Sequence, residues 1–320
     1  MSASATTPAD AIACIRAVYA RWTRETTLAQ MRADWDALFD LPVTAHHAAV
    51  DLDGIPSEWI TAPGARQDAA ILYLHGGGFQ IGSVASHREL MARLSAAAGV
   101  RVLGIDYRLA PEHRHPAQVE DACRALRWLL AQGLTPDRIA LAGDSAGGGL
   151  ALSALLAMQA EGLANWAAAT LFSPWTDMAL TGATYGDGAV DDPLNARPML
   201  QAMARARLGR EADPLHPLAS PVHASMTALG CLPPLLVQVG EREIVRSDAA
   251  DLVARVQDAG GRAQLQVAPG LFHVYQQFPG LPAARDAVEA AGRFLAGHLG
   301  VAVTGTPSRI TSSVTEGPSS

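Results

Sequence analysis

Short apolar runs alternate with longer stretches of helical periodicity along most of this chain. The strand-like runs lie at 71–74, 101–106, 139–142, 168–172, 234–240 and 263–267. Helix-like stretches separate most of them, near 87–97, 117–131 and 147–158, and a last one ends near 298. Short apolar runs between turn residues are typical of buried strands. The alternation predicts a mostly parallel central sheet with helices on both faces, an α/β fold.

The N-terminal region shows a different pattern. Apolar residues at helical spacing predict that residues 8 to about 40 are helical. A β-hairpin with an Asp-Gly turn is predicted next, over residues 50–60. We therefore place a helical segment at residues 1–45 and the domain that contains the sheet at residues 46–300.

A long segment without clear strands interrupts the alternation at residues 177–230. It is rich in proline, glycine and aspartate, and its one helix-like piece lies at 196–205. Because connections this long are usually functional, we interpret the segment as a cap that the N-terminal helical segment joins in space. Its apolar residues would form a roof over a substrate, although they would equally serve to pack the cap onto the body. The candidate roof residues are Met178, Leu180, Leu194, Met199, Leu200 and Met203.

A serine motif begins where the apolar run at 139–142 ends. Residues 143–147 read Gly-Asp-Ser-Ala-Gly, and a stretch that favours helix formation follows. This pattern places the serine on a tight strand-to-helix turn, with its hydroxyl exposed at the top of the sheet. The flanking glycines suit a turn in which strand and helix lie too close for a Cβ atom. We predict that Ser145 is the nucleophile of an acyl-transfer site.

A glycine motif follows the run at 71–74, where residues 75–79 read His-Gly-Gly-Gly-Phe. Backbone N–H groups of such a loop, placed beside a serine hydroxyl, can hold the oxyanion of a tetrahedral intermediate. A lone Gly-x-Ser-x-Gly motif is common by chance. The two motifs together, each after a predicted strand, indicate an acyl-transfer site in preference to two glycine-rich turns.

The serine needs a general base, and in folds with this serine turn the acid and then the base follow it along the chain. The histidines after the serine are His216, His223, His273 and His298. The last of these ends the final helix, and the first two lie among prolines in a loop-rich segment. His273 follows a predicted strand and a Pro-Gly turn, which is where a base should lie. We therefore favour His273.

The acid is expected after the predicted strand at 234–240. The candidates are Glu241, Glu243 and Asp248. Asp248 falls in the first turn of a predicted helix, where the helix dipole alone favours an acidic residue. Glu241 follows the strand directly and suits a solvated position. Glu243 has apolar residues behind it that would bury part of the turn, so we favour Glu243 and keep the other two as alternatives.

Several stretches together are similar to the hormone-sensitive-lipase branch of the α/β-hydrolases, the bacterial esterases with a His-Gly-Gly-Gly motif. The stretches are 75–79, 106–112, 143–149, 173–177, and 240–243 with 272–274. The resemblance covers about residues 46 to 298 and implies the α/β-hydrolase fold. It places the acid three residues after the strand-closing glycine, at Glu243, where many relatives carry aspartate.

The same resemblance implies the residues around the triad. The implied oxyanion donors are Gly77, Gly78 and Ala146. The residues expected to support them by hydrogen bonding are His75, Gly76 and Asp144. Within the branch, residues 213–215, 219–224 and 238–240 are similar to monoterpene ε-lactone hydrolases, which makes a lactone a candidate substrate.

Composition narrows the functional classes. A chain of 320 residues with 49% hydrophobic and 17% charged residues can bury one large core, and a net charge of −7 offers no basic surface for nucleic acid. No stretch suits a membrane span or a signal peptide. Three scattered cysteines favour thiols in a reducing compartment over a disulfide framework, so we expect a cytoplasmic protein. Residues 301–320 are predicted to be a disordered tail.

These observations predict a serine carboxylesterase that hydrolyses short-chain carboxylic esters or small lactones through an acyl-enzyme, without cofactor or metal. An amidase or arylformamidase-like hydrolase and a lactonase stay open, because the same triad cleaves all three linkages. A non-catalytic receptor, similar to the plant gibberellin receptor, is disfavoured because such a receptor has lost the base that His273 provides here. The expected partner is a small ester or lactone. A homodimer stays open, and neither nucleic acid nor a membrane is expected.

Overall fold

Eight strands form one mixed sheet in the computed structural model, which describes residues 3–186 and 188–302. The strands are β1 (His46–Leu52), β2 (Ile55–Thr61), β3 (Arg66–Leu74), β4 (Val100–Ile105), β5 (Ile139–Asp144), β6 (Ala169–Phe172), β7 (Leu235–Gly240) and β8 (Ala263–Ala268). Their order in the sheet is β1-β2-β4-β3-β5-β6-β7-β8. The β1–β2 and β2–β4 pairs are antiparallel and all the others are parallel. The predicted mostly parallel sheet is confirmed.

Helices cover both faces of this sheet. They are α1 (Pro8–Tyr19), α2 (Leu28–Leu38), α3 (Val84–Ala98), α4 (Ala117–Ala131), α5 (Ala146–Ala160), α6 (Arg197–Leu208), α7 (Met226–Gly230), α8 (Arg246–Asp258) and α9 (Pro282–His298). Helices α4, α5 and α8 pack on one face, and α3 and α9 pack on the other. Successive side chains of a strand point to opposite faces, so Leu72 of β3 joins the first layer and Ile71 joins the second. The fold is that of an α/β-hydrolase.

The parallel strands determine where the functional loops meet. Strands that run in the same direction end at the same edge of a sheet, and ligands of open α/β sheets bind at that edge. The loops after β3, β5, β7 and β8 carry the glycine motif, the serine motif, Glu243 and His273, respectively. The topology therefore gathers residues that lie far apart along the chain.

The N-terminal region forms two helices where the sequence predicted one helical stretch. Between α1 and α2, the Thr23 N–H donates to Thr26 Oγ1 at 2.9 Å, and the Glu25 N–H donates to Thr23 Oγ1 at 3.2 Å. Threonine side chains that bond nearby backbone compete with helix formation. Thr27 then caps α2 by accepting from the Gln30 N–H. The hairpin β1–β2 turns at the predicted Asp-Gly pair.

The segment between β6 and α8 is largely irregular. Its described residues from 177 to 230 contain α6, α7 and two short 3-10 turns, and no strand. The predicted helix at 196–205 corresponds to α6, three residues longer at its C-terminal end. None of the helices in the described ranges has the length and apolarity to cross a membrane. Most of the predicted disordered tail, residues 303–320, lies outside the described residues.

Candidate active site

Strand β5 carries Ser145 to the carboxyl edge of the sheet, directly before helix α5. The serine has a φ of 50°, a value that residues other than glycine rarely adopt. A Cβ atom at Gly143 would lie 2.7 Å from the carbonyl oxygen of Leu74. One at Gly147 would overlap the carbonyl oxygens of Leu74 and His75. Only glycine fits at both positions, so the sequence folds here into the sharp turn that the motif predicts.

Ser145, His273 and Glu243 form a continuous chain of hydrogen bonds. The serine Oγ lies 2.8 Å from His273 Nε2, and Glu243 Oε2 lies 2.8 Å from His273 Nδ1. The Glu243 side chain is completely buried and that of His273 is 13% exposed. The structure thus brings together the three residues that the sequence analysis selected as nucleophile, base and acid.

Ser173, at the turn after β6, holds the acid in place. Its hydroxyl donates to Glu243 Oε1 at 2.7 Å and accepts from the Val274 N–H at 3.0 Å. The Gly240 N–H donates to the same carboxylate oxygen. Ser173 therefore links the loop of the acid to the loop of the base. Sequence reasoning missed this role, and the only available signal was the Ser-Pro-Trp stretch that it begins.

The two alternative carboxylates do not touch His273. Asp248 Oδ2 accepts the N–H groups of Thr176 and Asp177, at 2.8 and 2.9 Å, and burial raises the pKa of Asp248 to about 8. Glu241 accepts the N–H of Gly270 at 2.8 Å. Both carboxylates organise backbone around the site, and only Glu243 is in position to orient the imidazole.

Three backbone N–H groups lie next to the serine motif without an acceptor. Among the described residues, the amides of Gly77, Gly78 and Ala146 donate to no protein oxygen. The two glycines have φ values of 108° and 61° and line the same cavity as Ser145. Ala146 begins α5, where helix geometry leaves the first N–H groups unpaired. These are the donors that the family resemblance implied.

The side chain of Asp144 links the glycine loop to the serine turn. Its Oδ1 accepts the Gly76 N–H at 3.0 Å and the Tyr73 hydroxyl at 2.8 Å, and His87 Nε2 lies 3.3 Å from its Oδ2. Burial alone would raise the pKa of Asp144, but His87 lowers it overall, so this carboxylate stays ionised. The sequence analysis did not select His87. The one sequence feature that could have indicated it is its position as a polar residue on the apolar face of a predicted helix.

His75 supports the glycine loop as a neutral side chain. Burial lowers its pKa to about 3, with a further contribution from His87. Its ring stacks on Tyr107 at 4.3 Å, and its Nδ1 donates to the Gly76 carbonyl at 2.8 Å. The Tyr107 hydroxyl donates to the His75 carbonyl at 2.7 Å. The loop is thus braced from the strand before it and from the stretch after β4.

The electrostatics of His273 suit a base that works at neutral pH. Burial alone would lower the pKa of the imidazole, and the carboxylate of Glu243 raises it above the ordinary value of 6.5. An imidazolium that forms during reaction would therefore be stabilised by a charge that is already in place. This matches the proton acceptor that a serine hydroxyl requires.

A small cavity of about 60 Å³ opens onto Ser145. Its apolar wall comes from α1, α2 and the stretch around α6. The wall residues from these elements are Ile15, Tyr19, Trp35, Leu194, Met199, Leu200 and Met203, and Ile81, Trp175 and Val274 also line the cavity. Two of the predicted roof residues are not in this wall: Met178 and Leu180 pack into the main core, where the Met178 N–H donates to the buried Ser220 hydroxyl at 2.6 Å. The described residues offer no cluster of His, Cys, Asp and Glu suited to a metal ion.

Comparison with known proteins gives consistent matches. A family model described as the alpha/beta hydrolase fold matches residues 71–277. An acetyl-hydrolase from Streptomyces hygroscopicus is 45% identical over 241 residues, 75% of this chain and 79% of the relative. An ethyl acetate hydrolase from Pseudomonas putida is 35% identical, over 67% of this chain and 68% of the relative.

A solved structure extends the similarity to three dimensions. The crystal structure of an esterase from the bacterial hormone-sensitive lipase family superposes with a TM-score of 0.86 at 43% sequence identity. The superposition covers 92% of this chain and 99% of that protein. The similarity in three dimensions therefore extends beyond residues 71–277, which the family model matches.

Proposed function

Because this chain belongs to the hormone-sensitive-lipase branch of the α/β-hydrolases and is a carboxylic ester hydrolase, we propose that it is a serine esterase for short-chain esters or small lactones. The observation that carries the proposal is the hydrogen-bonded chain Ser145–His273–Glu243 beside three unpaired N–H groups. Such an arrangement supplies nucleophile, base, orienting acid and oxyanion donors within one site.

Acylation begins when Ser145 Oγ attacks the ester carbonyl and His273 Nε2 takes its proton. The carbonyl oxygen becomes an oxyanion, which the amides of Gly77, Gly78 and Ala146 receive. Loss of one such donor costs about 3 kcal/mol in other serine hydrolases. The tetrahedral intermediate collapses, the C–O bond to the alcohol breaks, and His273 gives its proton to the leaving oxygen. The acyl group is now an ester of the serine.

Deacylation repeats these steps with water as the nucleophile. His273 takes a proton from water, the hydroxyl attacks the acyl carbon, and the serine leaves with the proton that the imidazole returns. Glu243 holds the ring so that Nδ1 keeps its proton and Nε2 faces the serine. Every step uses groups of this chain and water alone.

We expect kcat/KM to fall at low pH with a midpoint above 6.5, because only neutral His273 can accept the serine proton and its pKa is raised. The raised pKa means that protonation, and with it loss of activity, begins at a higher pH than for a free imidazole. The pH dependence of kcat/KM for p-nitrophenyl acetate measures this midpoint, because kcat/KM reports ionisation of the free enzyme. The residual activity of Glu243→Gln should show a lower midpoint, and a wild-type midpoint below 6.5 would argue against the pairing.

The cavity limits the size of the acyl group. We propose that α1, α2 and the segment 177–230 act together as a cap, since residues of all three form the apolar wall over Ser145. A pocket with so little free volume accepts short chains or small rings. The names of the acetyl-hydrolase and the ethyl acetate hydrolase support small substrates.

We expect kcat/KM to be highest for acyl groups of roughly two to eight carbons, and each methylene that no longer fits should forfeit up to about 0.8 kcal/mol of burial. A series of p-nitrophenyl esters from acetate to palmitate tests this. Leu200→Ala, which enlarges the cavity and leaves the triad unchanged, should move the optimum of kcat/KM to longer acyl chains. Efficient hydrolysis of palmitoyl esters or emulsified triolein by the wild type would contradict the assignment.

A panel of p-nitrophenyl esters, anilides and ε-lactones separates the remaining possibilities. We expect ester hydrolysis to exceed anilide hydrolysis, and a preference for ε-lactones would identify the lactonase that the sequence left open. A homodimer and a cytoplasmic location stay predictions.

A further inference from the structure

Arg207 of α6 is a buried cation that pairs with no carboxylate among the described residues. The residue is 1% exposed, and the only hydrogen bond that its side chain makes within the described residues runs from Nη1 to the Ala219 carbonyl at 3.2 Å. Its Nε and Nη2 atoms are buried and have no acceptor. Burial lowers the pKa of Arg207 to about 9, so the group stays charged at neutral pH. Burying an unpaired charge is costly, which favours a functional reason for its position.

The guanidinium lies over the ring of Phe79, the last residue of the glycine motif. Its Cζ is 3.7 Å from the centre of the Phe79 ring, a close cation–π contact. Phe79 has a φ of 63°, and its carbonyl accepts the Ala110 N–H at 2.8 Å. The ring and the backbone of Phe79 are therefore both held, directly beside the amide of Gly78.

Helix α6 contacts the glycine loop at a second point one turn earlier. The space beside Gly78, where a Cβ would project, is filled by the thioether of Met203. Residues four positions apart lie on one face of a helix, so Met203 and Arg207 form a single surface against Gly78 and Phe79. Met203 also lines the substrate cavity.

The groups around Arg207 do not neutralise its charge. The Tyr107 phenol, whose pKa burial raises well above its usual range, stays neutral. His115, whose backbone N–H donates to the Arg207 carbonyl at 2.8 Å, has a pKa lowered to about 4, first by burial and then by Arg207 itself. The guanidinium therefore presents a net positive charge behind the loop.

We propose that Arg207 is a positioning residue for the oxyanion loop: its guanidinium holds Phe79 and thereby the Gly78 amide, and its unneutralised charge favours the oxyanion. The proposal rests on the esterase function proposed above. Negative charge on the carbonyl oxygen develops only on the way to the tetrahedral intermediate, so a cation behind the donors stabilises that state more than bound substrate. Removal of the Arg207 guanidinium should therefore lower kcat and leave KM nearly unchanged.

Arg207→Met tests this, because methionine keeps an unbranched side chain of similar bulk and removes the charge. We expect kcat for p-nitrophenyl acetate to fall about tenfold, with KM within about twofold of the wild type. The thermal midpoint should stay equal or rise, because replacing a buried ion by an apolar side chain is often neutral or stabilising. Arg207→Lys, which keeps the charge, should retain most of the wild-type kcat.

A second variant and an inhibitor keep the test independent of folding defects. Phe79→Leu removes the ring and leaves the arginine, and the double variant should be little worse than either single one if both act together. Affinity for a trifluoromethyl ketone, which forms a tetrahedral adduct with the serine, should fall with kcat/KM. Arg207→Met with kcat within about threefold of the wild type, or a loss that follows a lower thermal midpoint and is shared by Arg207→Lys, would overturn the proposal. A wild type without esterase activity would instead refute the proposed function.

Discussion

Replacing Ser145 with alanine is expected to lower kcat for p-nitrophenyl acetate by about 10⁴-fold or more, because the residues of a triad act as a unit. The change removes the oxygen that forms the acyl bond and leaves His273 without the proton that it transfers. The fold should persist, since the hydroxyl donates to no other group among the described residues. Steady-state kinetics and circular dichroism of the purified variant measure both effects.

Ser153→Ala is the matched control for this experiment. Ser153 lies two turns further along α5, is buried, and within the part of the chain that the structure describes donates only to the Gly149 carbonyl of its own helix. Its removal should leave kcat within a few-fold of the wild type, on the order expected for a substitution outside the site. Activity of Ser145→Ala within about tenfold of the wild type would show that another residue is the nucleophile.

Glu243→Gln is expected to lower kcat by about 10⁴-fold, as the equivalent amide does in serine proteases with this triad. The amide cannot hold the imidazole in the tautomer that leaves Nε2 free to accept a proton. It also removes the charge that raises the pKa of His273. The Ser173 hydroxyl and the Gly240 N–H would still find an oxygen on the glutamine, so stability should change little.

Two neighbouring carboxylates serve as controls for the acid. Asp248→Asn keeps an oxygen for the N–H groups of Thr176 and Asp177, and Glu241→Gln keeps one for Gly270. Neither contacts His273, so both should retain kcat within about tenfold of the wild type. If Asp248→Asn were the most damaging of the three, the assignment of the acid would be wrong.

The sheet and the positions of the site loops could be predicted from sequence because their signals are local. A four-residue apolar run before a glycine motif identifies β3 and β5 without any knowledge of their neighbours. Chain order then restricts the base and the acid to a few residues after the serine. Glu243 is harder to identify from sequence, because the hydroxyl that fixes its carboxylate comes from Ser173, seventy residues earlier.

Other parts of the site depend on contacts that cross the whole chain. By sequence Arg207 is typical of a surface residue in the last turn of an amphipathic helix, and its burial depends on packing of α6 against distant residues such as Phe79. The role of His87 cannot be predicted from sequence, because it depends on the packing of α3 beside Asp144. Met178 and Leu180 are candidate roof residues by sequence, yet they pack into the core. Composition alone cannot distinguish an apolar residue of a cavity wall from one in the core beneath it.

The central claim is that Ser145 carries the acyl group, and covalent labelling tests it most directly. The wild type is treated with diethyl p-nitrophenyl phosphate, which transfers a phosphoryl group to an activated serine, and the labelled peptide is identified by mass spectrometry. We predict one phosphoryl group per chain, located at Ser145, with activity lost in proportion and no labelling of Ser145→Ala. Complete inhibition with Ser145 unmodified, or with the label on another residue, would contradict this account.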